Sequence, residues 1–179
     1  MNGGKFMKNL SLYVPNLEEY WYEERVLRDP NTMGYNAGYP VTYRGYHYDT
    51  GCIDFPKEKW KEKYDKRIKN HLFFAYIKDN DANKFVGFCN YQYNKEENRY
   101  ECGLLIEAKY RGKGYSKEAL NLLCQNAKEN GIHELYDVFE INRKNTLKVF
   151  EAVGFKIVEK TIYKRFDTFV ESVVVRITL

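Results

Sequence analysis

The residues best equipped for chemistry are Arg111-Gly112-Lys113-Gly114-Tyr115-Ser116. Two glycines one residue apart let the main chain approach a ligand with no Cβ in the way. Arg111, Lys113 and Lys117 surround them with positive charge. Upstream, the apolar run Gly103 to Ile106 reads as a buried strand, and Glu107 to Tyr110 as a short loop. Downstream, Ser116 to Asn130 carries a helical pattern. Strand, glycine-rich turn and helix start together predict an anion site, because the first N–H groups of a helix lack internal partners and point outward.

Two phosphate motifs do not fit. The dinucleotide fingerprint needs a third glycine where this chain has Lys117, and the P-loop spacing before Gly-Lys-Ser/Thr is absent. By themselves the six residues also suit an ordinary strand-to-helix turn. The pattern resembles the coenzyme A pyrophosphate loop of the GNAT superfamily of N-acetyltransferases, Gln/Arg-x-x-Gly-x-Gly/Ala, with Ser116 in place of the last small residue. A second block, Val149-Phe150-Glu151-Ala152-Val153-Gly154-Phe155, is similar to that family's Leu-Tyr-Glu-Lys-x-Gly-Phe segment. The resemblance spans roughly Lys8 to Leu179 and is strongest over Glu101 to Phe155.

The resemblance implies an α/β (mixed α+β) fold: a central, mostly antiparallel sheet with splayed strands, flanked by helices. It implies direct acetyl transfer from acetyl-CoA to a primary amine, on a small-molecule or peptide acceptor, in a ternary complex. Leu104, Leu105 and Ile106 would pair with pantetheine through their backbone, and Arg111, Gly112, Lys113, Gly114, Tyr115 and Ser116 would cradle the pyrophosphate. Glu101, on the strand before the loop, is the first candidate base, and Glu140, on the next strand, the second. Two departures stand out. Phe150 occupies the place of the family's tyrosine acid, which leaves Tyr115, another tyrosine or solvent to protonate the thiolate. Asn142 and Asn145 flank the expected asparagine position, which Arg143 fills, so Asn142 and Phe150 complete the coenzyme set. The alternative is a non-catalytic coenzyme A sensor or interaction module.

Composition bounds the rest. A chain of 179 residues, 44% hydrophobic and 30% charged, predicts one soluble globular domain. A net charge of +4 is too mild to argue for nucleic acid. Cys52, Cys89, Cys102 and Cys124 form no Cys-x-x-Cys pair and only three histidines are present, so neither a metal site nor a disulfide framework is supported. Reduced thiols, no apolar run of about 18 residues and no signal-peptide core predict a cytoplasmic protein with no membrane partner. Residues 1–7 read as a loose leader.

The elements that must position the loop follow in order. Leu10–Val14 reads as a strand. Asn16 caps a helix whose apolar positions are Leu17, Tyr20 and Trp21, and Asp29-Pro30 stops it. Asn31–Phe55 is irregular, and its tyrosines and Asp49 and Asp54 suit either an amine pocket or simple packing. A helix from Pro56 to about Lys69 aligns Trp60, Tyr64 and Ile68, with a lysine-rich face toward solvent. Leu72–Ile77, Phe85–Tyr93 and Tyr100–Ile106 form a three-strand meander leading into the loop. After the loop helix come a strand Leu135–Ile141, a short helix closed by Gly154, and long strands Phe155–Tyr163 and Phe169–Leu179 that could pair in a homodimer.

Overall fold

The computed structural model describes residues 8–41, 43–165 and 167–179. The leader expected over residues 1–7 lies outside them. Seven strands form one sheet: β1 (Leu10–Tyr13), β2 (Phe73–Asp79), β3 (Lys84–Asn94), β4 (Arg99–Ile106), β5 (Glu134–Glu140), β6 (Lys156–Arg165) and β7 (Thr168–Thr178). Their spatial order is β1-β2-β3-β4-β5-β7-β6. All neighbours are antiparallel except β4 and β5.

That parallel pair is the break in the sheet. β4 pairs with β3 along its whole length, from Arg99–Asn94 to Ile106–Gly87. Against β5 it pairs only once, at Glu101–Tyr136. Beyond that point Gly103–Ile106 and Val138–Glu140 diverge, which matches the expected splay.

Helices cover both faces, because strand side chains alternate between them. On one face α4 (Tyr115–Glu129) and α5 (Lys144–Val153) bury Leu120, Leu123, Leu135, Phe139, Phe150 and Phe155. Leu120 and Leu123 are fully buried, each worth about 1.5–3 kcal/mol of hydrophobic stabilisation. On the other face α1 (Trp21–Leu27), α2 (Pro30–Met33) and α3 (Trp60–Lys69) close over Tyr20, Tyr22, Trp60, Phe74, Tyr76 and Leu105.

Three expectations on this second face need correction. The first helix begins as a 3-10 turn, Leu17–Glu19, before α1. A 3-10 turn holds three residues rather than 3.6, so counting at α-helical spacing across the junction misplaces the buried side. Trp21 is 50% exposed, while Tyr22, Glu23, Val26 and Leu27 point inward. Asp29-Pro30 ends α1 but also starts α2: Pro30 takes the first helical position and the Asp29 carboxylate accepts from the Asn31 N–H at 3.1 Å. Ile68 is 58% exposed, and Arg67 takes the inward place after Trp60 and Tyr64. At about 100° per residue, position i+7 returns to the starting face and i+8 overshoots it by about 80°.

Candidate active site

The glycine turn is braced from below before it is open above. The Glu107 carboxylate, 4% exposed, accepts from the Tyr22 hydroxyl at 2.7 Å and from Arg25 at 2.8 Å. Thr32 of α2 accepts the Ala108 N–H through its hydroxyl at 2.9 Å. Arg111 donates to the carbonyls of Ile106 at 3.0 Å and Thr32 at 2.7 Å, and its own N–H goes to Ala108. These bonds correct the expectation for Arg111. Its guanidinium staples the loop to α2 instead of reaching outward toward a phosphate.

Above this base the main chain turns left-handed twice, at Gly112 (φ 72°) and Gly114 (φ 86°), and α4 begins at Tyr115. A Cβ built on either glycine would meet no atom within 4 Å. Among the described residues, the backbone N–H groups of Gly112, Lys113, Gly114, Tyr115 and Ser116 have no protein acceptor. Donors without acceptors at a helix start, with open space in front, form an anion cradle. Lys113 bends back onto the Lys109 carbonyl at 2.8 Å, which holds its positive charge at the base of the turn and adds to the main-chain donors.

The gap between β4 and β5 runs from this cradle down to the Glu101–Tyr136 pairing. Leu105 and Ile106 are buried and Leu104 packs against the α4 core. What they can offer a ligand is therefore the β4 backbone edge that β5 leaves unpaired.

The expected catalytic groups separate sharply. Tyr115 is 5% exposed, and its hydroxyl donates to Asp79 at 2.6 Å. Asp79 ends β2, two strands from β4 on the side away from the gap. Tyr115 is thus a core residue and not an acid facing the gap; the hydrogen bond to Asp79 pushes its pKa up to about 12. Glu101 sits where the strands still pair. One of its oxygens accepts from Arg99 at 2.8 and 2.9 Å, the other from Asn94 at 3.0 Å. Glu140 lies at the open end. One oxygen accepts from Arg165 at 2.6 Å and from the Tyr39 hydroxyl, while Oε2 accepts no hydrogen bond among the described residues. Phe150 is 2% exposed and packed against Phe139 and Phe155, with ring centroids 5.4 and 4.8 Å apart. Asn142 is exposed in the turn before α5.

On the face of α1–α3, the Asn31–Phe55 segment is far from loose. Tyr46 donates to the Asn36 carbonyl at 2.7 Å, Asn36 donates to the Gly51 carbonyl at 3.0 Å, and Tyr46 and Ile53 form a β-bridge. Its tyrosines do meet cations, but the protein's own. Arg143 lies 4.8 Å over the Tyr35 ring, and Arg165 4.5 Å over Tyr39. A cavity of about 180 Å3 opens here, lined by Val138, Glu140, Arg143, Tyr163, Arg165 and Ser172.

Asp137 has no counterpart in the sequence reading, although an acidic residue between Leu135 and Phe139 on an apolar strand face was a visible signal. Its carboxylate accepts the Val138 N–H at 2.8 Å. Burial pushes its pKa up to about 7, against the pull of Arg143. A carboxyl raised on folding contributes stability that is full below its unfolded value near 3.8 and lost as the pH rises through 7. Asp137→Asn is therefore expected to raise stability on the order of 2 kcal/mol above pH 7 and to change little near pH 4. Thermal melts of both proteins at the two pH values check this; an equal difference at both would contradict it.

The model of the acetyltransferase (GNAT) family matches residues 37–155. An acetyltransferase (GNAT family) from Bacillus anthracis superposes with a TM-score of 0.72 at 16% identity, covering 96% of this chain and 95% of that one. Spermidine N-acetyltransferase from Vibrio cholerae, solved in complex with CoA and spermine, gives 0.73 at 15% identity over 94% and 95%. The yncA protein of Salmonella typhimurium, solved with its cofactor acetyl-CoA, gives 0.69 at 11% identity over 94% and 93%. No curated protein sequence matches the chain. At these identities the structural likeness speaks for the fold. No helix among the described residues is long and apolar enough to cross a membrane.

Proposed function

The chain belongs to the GNAT acetyltransferase family, and from that premise we propose that it transfers an acetyl group from acetyl-CoA to a primary amine by direct attack in a ternary complex. One observation carries the reading: a run of N–H groups without acceptors among the described residues, Gly112 to Ser116, stands at the mouth of the gap between β4 and β5. The cradle holds the diphosphate, and the pantetheine arm lies in the gap along the exposed edge of Leu104–Ile106. A main-chain N–H there polarises the thioester carbonyl, and the two substrates are held in line for attack.

The amine nitrogen forms its bond to the acetyl carbon, the C–S bond breaks, and coenzyme A leaves as thiolate. A free amine is mostly protonated near neutral pH, so a proton acceptor is required. Glu140 takes that role, because its Oε2 has no partner among the described residues and it lines the cavity. Glu101 ranks second, since Arg99 and Asn94 already occupy both its oxygens. With Phe150 lacking a hydroxyl and Tyr115 bonded to Asp79, solvent protonates the thiolate. Pairing of two copies belongs to the same proposal. β6 forms the sheet's outer edge, and Ile162 on it and Phe169 on β7 are each 70% exposed.

A second reading, a coenzyme-binding sensor without transfer, draws on Phe150 alone. A panel of primary amines with acetyl-CoA, read by free-thiol release, separates the two. Amine-dependent release is the expected result. Tight coenzyme binding with only slow, amine-independent hydrolysis would favour the sensor, and no coenzyme binding would overturn both.

A further inference from the structure

We infer that the acceptor amine carries a carboxylate beside it, and that Arg143 binds that carboxylate. The inference rests on the transfer reading above and narrows it to amino acids and similar zwitterions. Its basis is the charge arrangement in the cavity lined by β5, the strand that bounds the gap, together with β6 and β7. Two guanidiniums, Arg143 and Arg165, line it together with one carboxylate, Glu140. Arg165 is engaged by Glu140 at 2.6 Å and by the Asn36 side-chain oxygen at 3.1 Å.

Arg143 differs. Its guanidinium forms no salt bridge and donates no hydrogen bond among the described residues, and it lies against the Tyr35 ring. The other charges around it are few. Arg111 repels it and is bonded to main-chain carbonyls. Asp137 attracts it, but its one described hydrogen bond is to the Val138 N–H.

Placement completes the argument. Arg143 closes a turn with Glu140, its N–H donating to the Glu140 carbonyl at 3.0 Å. Their side chains thus enter one cavity from neighbouring points of one turn. An unpaired guanidinium offers a planar fork of donors that matches a carboxylate. Beside it, Oε2 of Glu140, which accepts no hydrogen bond among the described residues, accepts from an ammonium. Together they present a complementary pair for an α-amine and α-carboxylate on adjacent atoms. A polycation such as spermidine would supply nothing for Arg143 and would meet its charge head-on.

The test uses the full chain, acetyl-CoA and matched pairs: L-amino acids against their α-amides, with spermidine as a carboxylate-free amine. Thiol release reports turnover, and calorimetry with coenzyme A reports the other site independently. The expected result is a preference for the acid over its amide of at least about tenfold in kcat/KM. That preference runs against simple reactivity, because the amide's amine is the less basic of the two and more of it is unprotonated. Arg143→Gln is expected to erase the preference through KM while coenzyme affinity holds, and Arg143→Lys to restore part of it. Better turnover of amides or spermidine would overturn the inference and leave the transfer reading standing. Coenzyme binding with no amine consumed would overturn both. An Arg143→Gln protein that loses coenzyme affinity but keeps its acceptor preference would assign Arg143 to the coenzyme and overturn the inference alone.

Discussion

Gly114→Trp is expected to lower coenzyme A affinity by at least about 100-fold while the protein still folds. The reason is local. Gly114 has φ 86°, which a residue with a side chain adopts at a cost of about 1–2 kcal/mol. Its missing Cβ faces no protein atom within 4 Å, so the first atom of a side chain there meets open space. The indole is expected to crowd the turn whose N–H groups, Gly112 to Ser116, would hold the diphosphate. Calorimetric titration with coenzyme A, beside a thermal melt, separates the two effects. Affinity within about threefold of the wild type would show that the diphosphate binds elsewhere, since the loss of one such charge-assisted anchor alone costs more than that.

The largest stability effect is expected far from the loop, at Glu23. Its side chain is 2% exposed and accepts from Lys63 at 2.6 Å and from Arg67 at 2.8 and 2.9 Å. Arg67 is itself only 11% exposed and lies 3.5 Å over the Phe74 ring. Glu23→Ala therefore strands a desolvated guanidinium between α1 and α3. Breaking a buried pair from one side costs about 3–5 kcal/mol, or about 10 °C in thermal midpoint for a chain of this size. The exposed pair Lys61–Asp65, at 2.6 Å, supplies the control. Lys61→Ala is expected to cost under about 1 kcal/mol. Equal losses in the two variants would contradict the assignment of Glu23 as the charge that holds α3 in place.

The legible features are those written in consecutive residues. The glycine turn, its preceding strand and α4 follow from local pattern, because glycine placement and helix periodicity act over a few positions. The splay was reachable only through family resemblance, since a single pairing between Glu101 and Tyr136 is a property of register between distant strands. Side-chain roles fared worse for the same reason. Tyr115 finds Asp79 36 positions away, and Glu107 finds Tyr22 85 positions away. Nothing within one element announces such bonds. Arg67 and Ile68 show the limit at its narrowest, where one residue of phase decides which side chain is buried. Arg111 shows it differently: a basic residue beside two glycines suggests a phosphate ligand, yet two carbonyls on the protein side claim it first.

Amide NMR of the wild-type chain during coenzyme A titration tests the central claim most directly, with Gly114→Trp as its blank. The account predicts large shifts of the Gly112, Lys113, Gly114, Tyr115 and Ser116 amides and of the β4 edge at Leu104–Ile106, and none of these in the variant. Saturable binding that leaves those amides unmoved and shifts another surface would contradict it.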